Sequence, residues 1–511
     1  MKKKSVTRIF SAVMVVAMST ALCACTGGSS GNSSSGNNSS DTPEFIFGMS
    51  QTITSVDPHE DTDAATRCVL FNVFEGLVKP TAEGVLVPAV ASDYVISDDA
   101  TEYTFTIREG ITFHDGNPVT ASDVKYSLER SAATASGSSA LSSVSDISVP
   151  DDSTVVITID SPNSEFIYNL TTAILEESND AEQATNPIGT GPFMITEFEE
   201  GEYLDMAKYD GYWSELDCID SCRFKFIDSA TTAYTELESN AIDCLQYLTY
   251  EQAEALGDDY NIITTSMMLI HGLFLNNAAE SCPALQDVRV RQALNYAIDR
   301  DEINDTLFAG ESQLIQTHGY PRVAWYNSDT ADTYTYDTVK AKELLKEAGY
   351  EDGFTFTIKV PKEYDQHVQT AEIISNQLSK IGVTAKLDKV EWTTWVSDVY
   401  KGRDYEATVV GFDAASLAPS TWYVRYYTTS GNDFTNFSNE EYDKIYDQAV
   451  ASIDEDEKME LYGQLQQILA EEAASVFIED PADFVALSAD FTGYVSYPLS
   501  AIDLTTIKAA K

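Results

Sequence analysis

The sequence predicts an α/β protein, because three stretches keep a regular apolar period. In the first, Phe354, Phe356, Ile358 and Val360 alternate as a strand, Ala371 to Ile381 reads as a helix ended by Gly382, and Val383, Ala385 and Leu387 alternate again. Strand, helix and strand in that order make a βαβ unit, which requires a parallel pair. In the second, Val290, Ala293, Leu294, Ala297 and Ile298 recur at helical spacing and predict an amphipathic helix with one buried stripe. In the third, Tyr103, Phe105 and Ile107 alternate with Thr104, Thr106 and Arg108 as a half-buried strand.

Taken from the amino end, Lys2, Lys3, Lys4 and Arg8 precede a largely apolar run of 14 residues from Ile9 to Leu22. A bilayer-crossing helix needs about 20 residues, so this run reads as a secretory signal. Leu22-Cys23-Ala24-Cys25 resembles a bacterial lipobox, with Cys25 the expected lipidated residue and residues 1–24 the signal peptide. Cys23 follows the bulky Leu22 and fits cleavage less well. From Thr26 to Ser40 only Gly, Ser, Asn and Thr occur, a tether with nothing to bury.

The chain carries 31 Lys and Arg against 82 Asp and Glu, a formal charge of −51. That balance argues against nucleic acid as a partner. Beyond the tether about 470 residues remain, too many for one core. Five cysteines follow Cys25, and an odd number cannot all pair within the chain.

The third stretch continues past its strand. Ile111 and Phe113 resume the alternation, Asp115-Gly116-Asn117-Pro118 forces a turn, and Thr120 is placed to cap a helix from Ala121 with Asp123 in its first turn. Later, Asp337 precedes a helix with Ala341, Leu344, Leu345 and Ala348 on one side, stopped by Gly349.

The segment F-H-D-G-x-P-x-T-A-x-D-V-x-Y-S inside Tyr103 to Arg130 resembles the signature of family 5 extracellular solute-binding proteins, the peptide and nickel receptors of ABC importers. D-P-H at Asp57 to His59, F-E-G-L at Phe74 to Leu77, G-T-G-P-F at Gly189 to Phe193, Y-D-G-Y-W at Tyr209 to Trp213 and F-L-N-N before the helix at Val290 extend the resemblance over nearly everything after Glu44. It implies a two-lobed periplasmic-binding-protein-like fold (type II, cluster C) with an extra domain, mixed sheets and a ligand cleft between the lobes. The implied domains are 44–74, 187–277 and 484–511 for a discontinuous domain I, 75–186 for domain II and 278–483 for domain III.

Nothing in the sequence resembles catalytic machinery: G-x-S-x-G, H-E-x-x-H and a phosphate-binding loop are all missing, and the five histidines stand singly. The resemblance therefore implies capture without turnover, no cofactor and no bound metal. It implies a lipid-anchored, extracytoplasmic and monomeric protein that delivers peptides to ABC permease subunits driven by cytoplasmic ATPases. Two alternatives stay open: another solute, such as an oligosaccharide, nickel chelate or blocked peptide, and a peptide-sensing receptor without transport.

The ligand residues follow from the same resemblance. The family stretch G-W-x-x-D-x-x-x-P corresponds to Gly411 to Pro419, with Phe412 for the tryptophan and Ala415 for the aspartate that holds a peptide amine. A buried cation without its carboxylate costs several kcal/mol. Asp413 is the nearest substitute, while Asp63 and Ala64 after D-P-H, and Gly272, are expected beside the ligand. Trp392, Trp422 and Tyr423 supply aromatic walls, and Arg425 is the nearby cation for a ligand carboxylate.

Overall fold

Three sheets organise the computed structural model, which describes residues 44–510 apart from 61, 62, 414 and 415. The first has seven strands in the order Tyr260–Ser266, Ala482–Ser488, Cys244–Leu248, Phe45–Met49, Ser221–Phe226, Tyr203–Lys208 and Phe193–Glu199. Its centre is parallel and its flanks antiparallel. The second has six strands in the order Gln313–Leu314, Ser475–Asp480, Leu269–Leu275, Ala407–Asp413, Thr355–Pro361 and Thr384–Val390. These two sheets are the cores of two lobes. A four-stranded antiparallel sheet, Ala91–Ile96, Glu102–Ile107, Thr154–Ile159 and Val144–Asp151, forms the extra unit.

The periodic stretches form the elements they predict. Thr120 caps the helix Ala121–Ala132, its side chain and that of Asp123 each accepting from the other's backbone N–H. Asp287 caps Val288–Ala297, and Asp337 caps Thr338–Glu347. Gly349 and Gly382 close their helices at φ of 86° and 87°, a backbone region that favours glycine. Thr355–Pro361 and Thr384–Val390 pair in parallel around the helix Asp365–Ser379, which starts earlier than the expected Ala371. Ile111 and Phe113 are buried but lie outside any strand, held by a single bridge from Thr112 to Pro118.

Alternation gives the second sheet two different faces. Leu273, Leu275, Val409 and Ile358 pack on helices in an aliphatic core, while Ile270, Phe274, Val410 and Phe412 face an aromatic one with Trp395, Trp422, Tyr423 and Tyr426.

The chain crosses between the lobes' sheets twice, from Ser266 to Leu269 and from Asp480 to Ala482. The crossings run side by side, and the Met267 N–H donates to Pro481 O at 2.8 Å. The first crossing comes earlier than the expected domain boundary after Asn277, because Leu269–Leu275 is already a strand of the second sheet. The second comes just before the expected boundary after Asp483.

The extra unit is riveted to the first lobe through the family motifs. Arg130 makes a two-pronged bond to Asp57, at 3.0 and 2.5 Å. His114 Nε2 donates to Gly191 O at 3.0 Å, while its Nδ1 accepts from Gly189 N–H. Glu75 is buried and accepts from Lys79 at 2.8 Å, the Tyr212 hydroxyl at 2.6 Å and the Trp213 indole at 2.8 Å. Removing that acceptor strands three donors. Glu75→Ala is therefore expected to lower stability by about 2–4 kcal/mol, read from urea unfolding, whereas Glu75→Gln keeps part of the network and loses less. Equal losses for the two variants would show that the joint does not depend on acceptance at this carboxylate.

Candidate functional site

The crossings set one wall of a small cavity between the lobes, of about 50 Å³. Met267 and Met268 line it from the crossing, Tyr247, Asp483 and Tyr494 from the first lobe, and Asp413 from the second. Asp413 sits there because its strand, Ala407–Asp413, ends opposite Leu269, the first residue past the crossing. Two residues on this wall adopt left-handed backbone conformations, Tyr247 at φ 61° and Met268 at φ 53°. Neither is glycine, so each costs energy that the surrounding packing must offset. At Tyr247 the register of the strand shifts, and its N–H donates to the Asp483 carboxylate at 2.8 Å.

Burial holds several groups near the crossings in their neutral forms. It pushes the Asp483 carboxyl up to about 7 and the Cys68 thiol up to about 12. Just outside the cavity, burial pushes Glu479 up to about 8 and Asp480 up to about 7, and it pulls His271 down to about 4. His271 Nδ1 lies 3.3 Å from Glu479 and its Nε2 lies 3.2 Å from His367 Nδ1. Near neutral pH this chain is a protonated acid beside uncharged imidazoles, which avoids burying bare charge.

A larger cavity of about 440 Å³ adjoins the first, and Tyr497, Leu499 and Ser500 line both. Its walls come from the helix Ala64–Leu70, the hairpin Val78–Pro88 of the extra unit and the segment Tyr168–Ala173, with Ser416 and Leu417 reaching in from the second lobe.

Of the expected ligand residues, Asp413 lines a cavity and the others described here line neither of the two. Asp63 is engaged as the cap of Ala64–Leu70, accepting from Thr66 N–H at 2.7 Å, and Ala64 opens that helix. Gly272 is buried within the second sheet, where a side chain would meet Val476 O. Gly411 lies in the strand leading to Asp413, where His367 packs against it. Phe412, Trp422 and Tyr423 belong to the aromatic core instead of a ligand wall. Arg425 lies over the Phe412 ring at 4.5 Å and donates to the Tyr400 hydroxyl. Trp392 is partly exposed and stacks on Trp395 with ring centres 5.0 Å apart. Ala415 and Cys25 lie outside the described residues. The sequence reading missed Asp483, whose buried strand A-D-F-V-A-L-S flags it only as a lone acid among apolar neighbours.

Among the described residues no group of three or more His, Cys, Asp and Glu is placed to hold a metal, and the five cysteines there are free. No described helix is long and apolar enough to cross a membrane.

The family model of bacterial extracellular solute-binding proteins, family 5, matches residues 85–434. The chain belongs to this family. It is thus a binding protein and not an enzyme, the substrate-binding component of an ABC importer for peptides or related solutes. The dipeptide-binding protein of Escherichia coli K12 is 26% identical over 454 residues, covering 81% of this chain and 84% of that protein. The glutathione-binding protein GsiB of Escherichia coli O1:K1 / APEC is 27% identical over 475 residues, covering 89% and 92%. Among solved structures, a putative peptide binding protein AppA from Clostridium difficile superposes with a TM-score of 0.81 at 21% identity, over 92% of this chain and all of that one.

The buried carboxyls give this binding protein a defined pH response. An unfolded Glu or Asp ionises near pH 4, whereas Glu479, Asp480 and Asp483 keep their protons in the fold until about 7 to 8. The folded state then binds more protons, so stability falls as pH rises through that window. All five histidines are held below their ordinary value by burial, so the unfolded chain's imidazoles oppose this around and below pH 6.5. Between about pH 7 and 8 the carboxyls dominate. Denaturant midpoints should fall across that interval, and Glu479→Gln should flatten the slope. A flat wild-type profile would mean that these groups are ionised in the fold.

Proposed function

We propose that the protein captures peptides bearing a free amino terminus between its lobes, with Asp413 accepting the amine. The observation that carries this reading is the position of Asp413 at the end of its strand, in the interlobe cavity that Asp483 also lines. Two carboxyl groups at one end of a cleft favour a cation there. Arrival of an ammonium would favour release of the Asp483 proton to solvent and leave a paired charge. Relatives named for dipeptides and for glutathione support a peptide ligand.

In this reading the domains follow the sheets, with the two crossings as the hinge between domains I and III. Closure buries the ligand, and the closed form docks on permease subunits that couple to cytoplasmic ATPases. Cys25 carries the lipid that keeps the protein on the outer face of the membrane, and the Gly/Ser/Asn tether supplies reach.

Asp413→Asn is expected to weaken binding of a free-amine peptide at least about tenfold by calorimetry, and to leave an N-acetylated peptide unchanged. If free-amine peptides give no heat while a glycan or a blocked peptide binds, the peptide-amine reading fails. Cys25→Ala should move the protein from the membrane fraction to the medium, and retention on the membrane would remove Cys25 as the anchor.

A further inference from the structure

The larger cavity has no role in amine capture, yet it lies next to the chamber that holds Asp413. Tyr497, Leu499 and Ser500 form the shared wall, so a ligand anchored at Asp413 has its next free volume there. At about 440 Å³ it lies within the roughly 300–1,000 Å³ range of pockets that enclose small ligands. The first chamber, at about 50 Å³, holds little more than an ammonium group and its neighbouring atoms. A ligand that ended there would leave the larger space unfilled.

The walls specify what fills it. Phe71, Phe74, Leu86, Tyr168, Leu417 and Tyr497 present apolar surface, and Phe71 meets Tyr497 edge-on at 5.2 Å, a geometry that accepts a further ring. The charged side chains there are largely matched. Lys79 is paired with Glu75 at 2.8 Å, and Asp503 accepts from the Tyr497 hydroxyl at 2.6 Å. Arg67 also lines the chamber. Leu417, buried just past the second lobe's strand Ala407–Asp413, supplies part of that wall.

Resting on the reading that Asp413 takes the amine, we propose that the ligand is a peptide longer than a dipeptide, whose bulky apolar or aromatic side chain toward the carboxyl end fills this second chamber under Leu417. The cleft reads the two ends separately. Charge selects the amino end, and shape and apolar area select the tail.

The test compares free-amine tetrapeptides ending in Phe or in Gly, and an alanine dipeptide, by calorimetry on the mature chain. The Phe-ended peptide should bind at least about tenfold tighter than the Gly-ended one. Thr172→Trp, which fills the chamber from its wall, should erase that difference, with folding checked by thermal melting. Leu417→Ala should narrow the difference without disturbing the fold. If peptides bind with an affinity that ignores both the tail and Thr172→Trp, while Asp413→Asn still weakens them, the chamber is not a tail site and the amine reading stands. If no free-amine peptide binds at all, the amine reading fails and this inference falls with it.

Discussion

Both lobes depend on one constraint, the pair of antiparallel chain crossings joined by the bond from Met267 N–H to Pro481 O. Strands Tyr260–Ser266 and Ala482–Ser488 on one side, and Leu269–Leu275 and Ser475–Asp480 on the other, are adjacent pairs in their own sheets. The ladder is interrupted between them: Pro481 has no N–H to give, Met268 is left-handed, and the register slips at His271. Strand continuity fixes where the lobes can turn, and the interruption removes the bonds that would resist turning. Asp480 secures the second lobe's side by accepting from Leu269 N–H, and Arg322 reaches from the second lobe to Ser496 and Thr265.

The family motifs are explained by a different joint. Asp57 with Arg130, Glu75 with Tyr212 and Trp213, and His114 with Gly189 and Gly191 each tie a motif near the four-stranded unit to one in the first lobe. Gly189 and Gly191 sit where a side chain would run into the backbone of Val73 and Asn72. In this chain these residues therefore serve assembly. They identify the architecture and leave the ligand open, since few of them line either cavity.

Local signals were legible in the sequence and assembled ones were not. A cap such as Thr120 or Asp337 acts on backbone within its own turn, so its neighbours suffice to find it. The same holds for the alternation of Phe356, Ile358 and Val360. For Trp422 and Tyr423, by contrast, bulk and aromaticity are the same in a core as in a pocket, and only the sheet's second face places them in the core. The crossing at Met267 was hidden because Met267 and Met268 lead into Leu269 and Ile270 with no Gly or Pro to mark a break. The larger chamber draws on six stretches far apart in the chain, and no spacing announces that.

Arg425 was the cation that the sequence offered to a ligand carboxylate, and its placement changes the expected logic of recognition. Its guanidinium covers the Phe412 ring and bonds Tyr400, so it stiffens the strand that delivers Asp413. In the proposed reading, binding is governed by acids at one end and mostly apolar walls at the other. A chain with formal charge −51 draws cationic groups toward such a cleft and gains association rate from the same field. That long-range attraction is screened by salt, whereas apolar burial in the second chamber is not. Salt should therefore slow capture of a ligand more than it speeds release, which separates the field of the whole protein from the contacts inside the cleft.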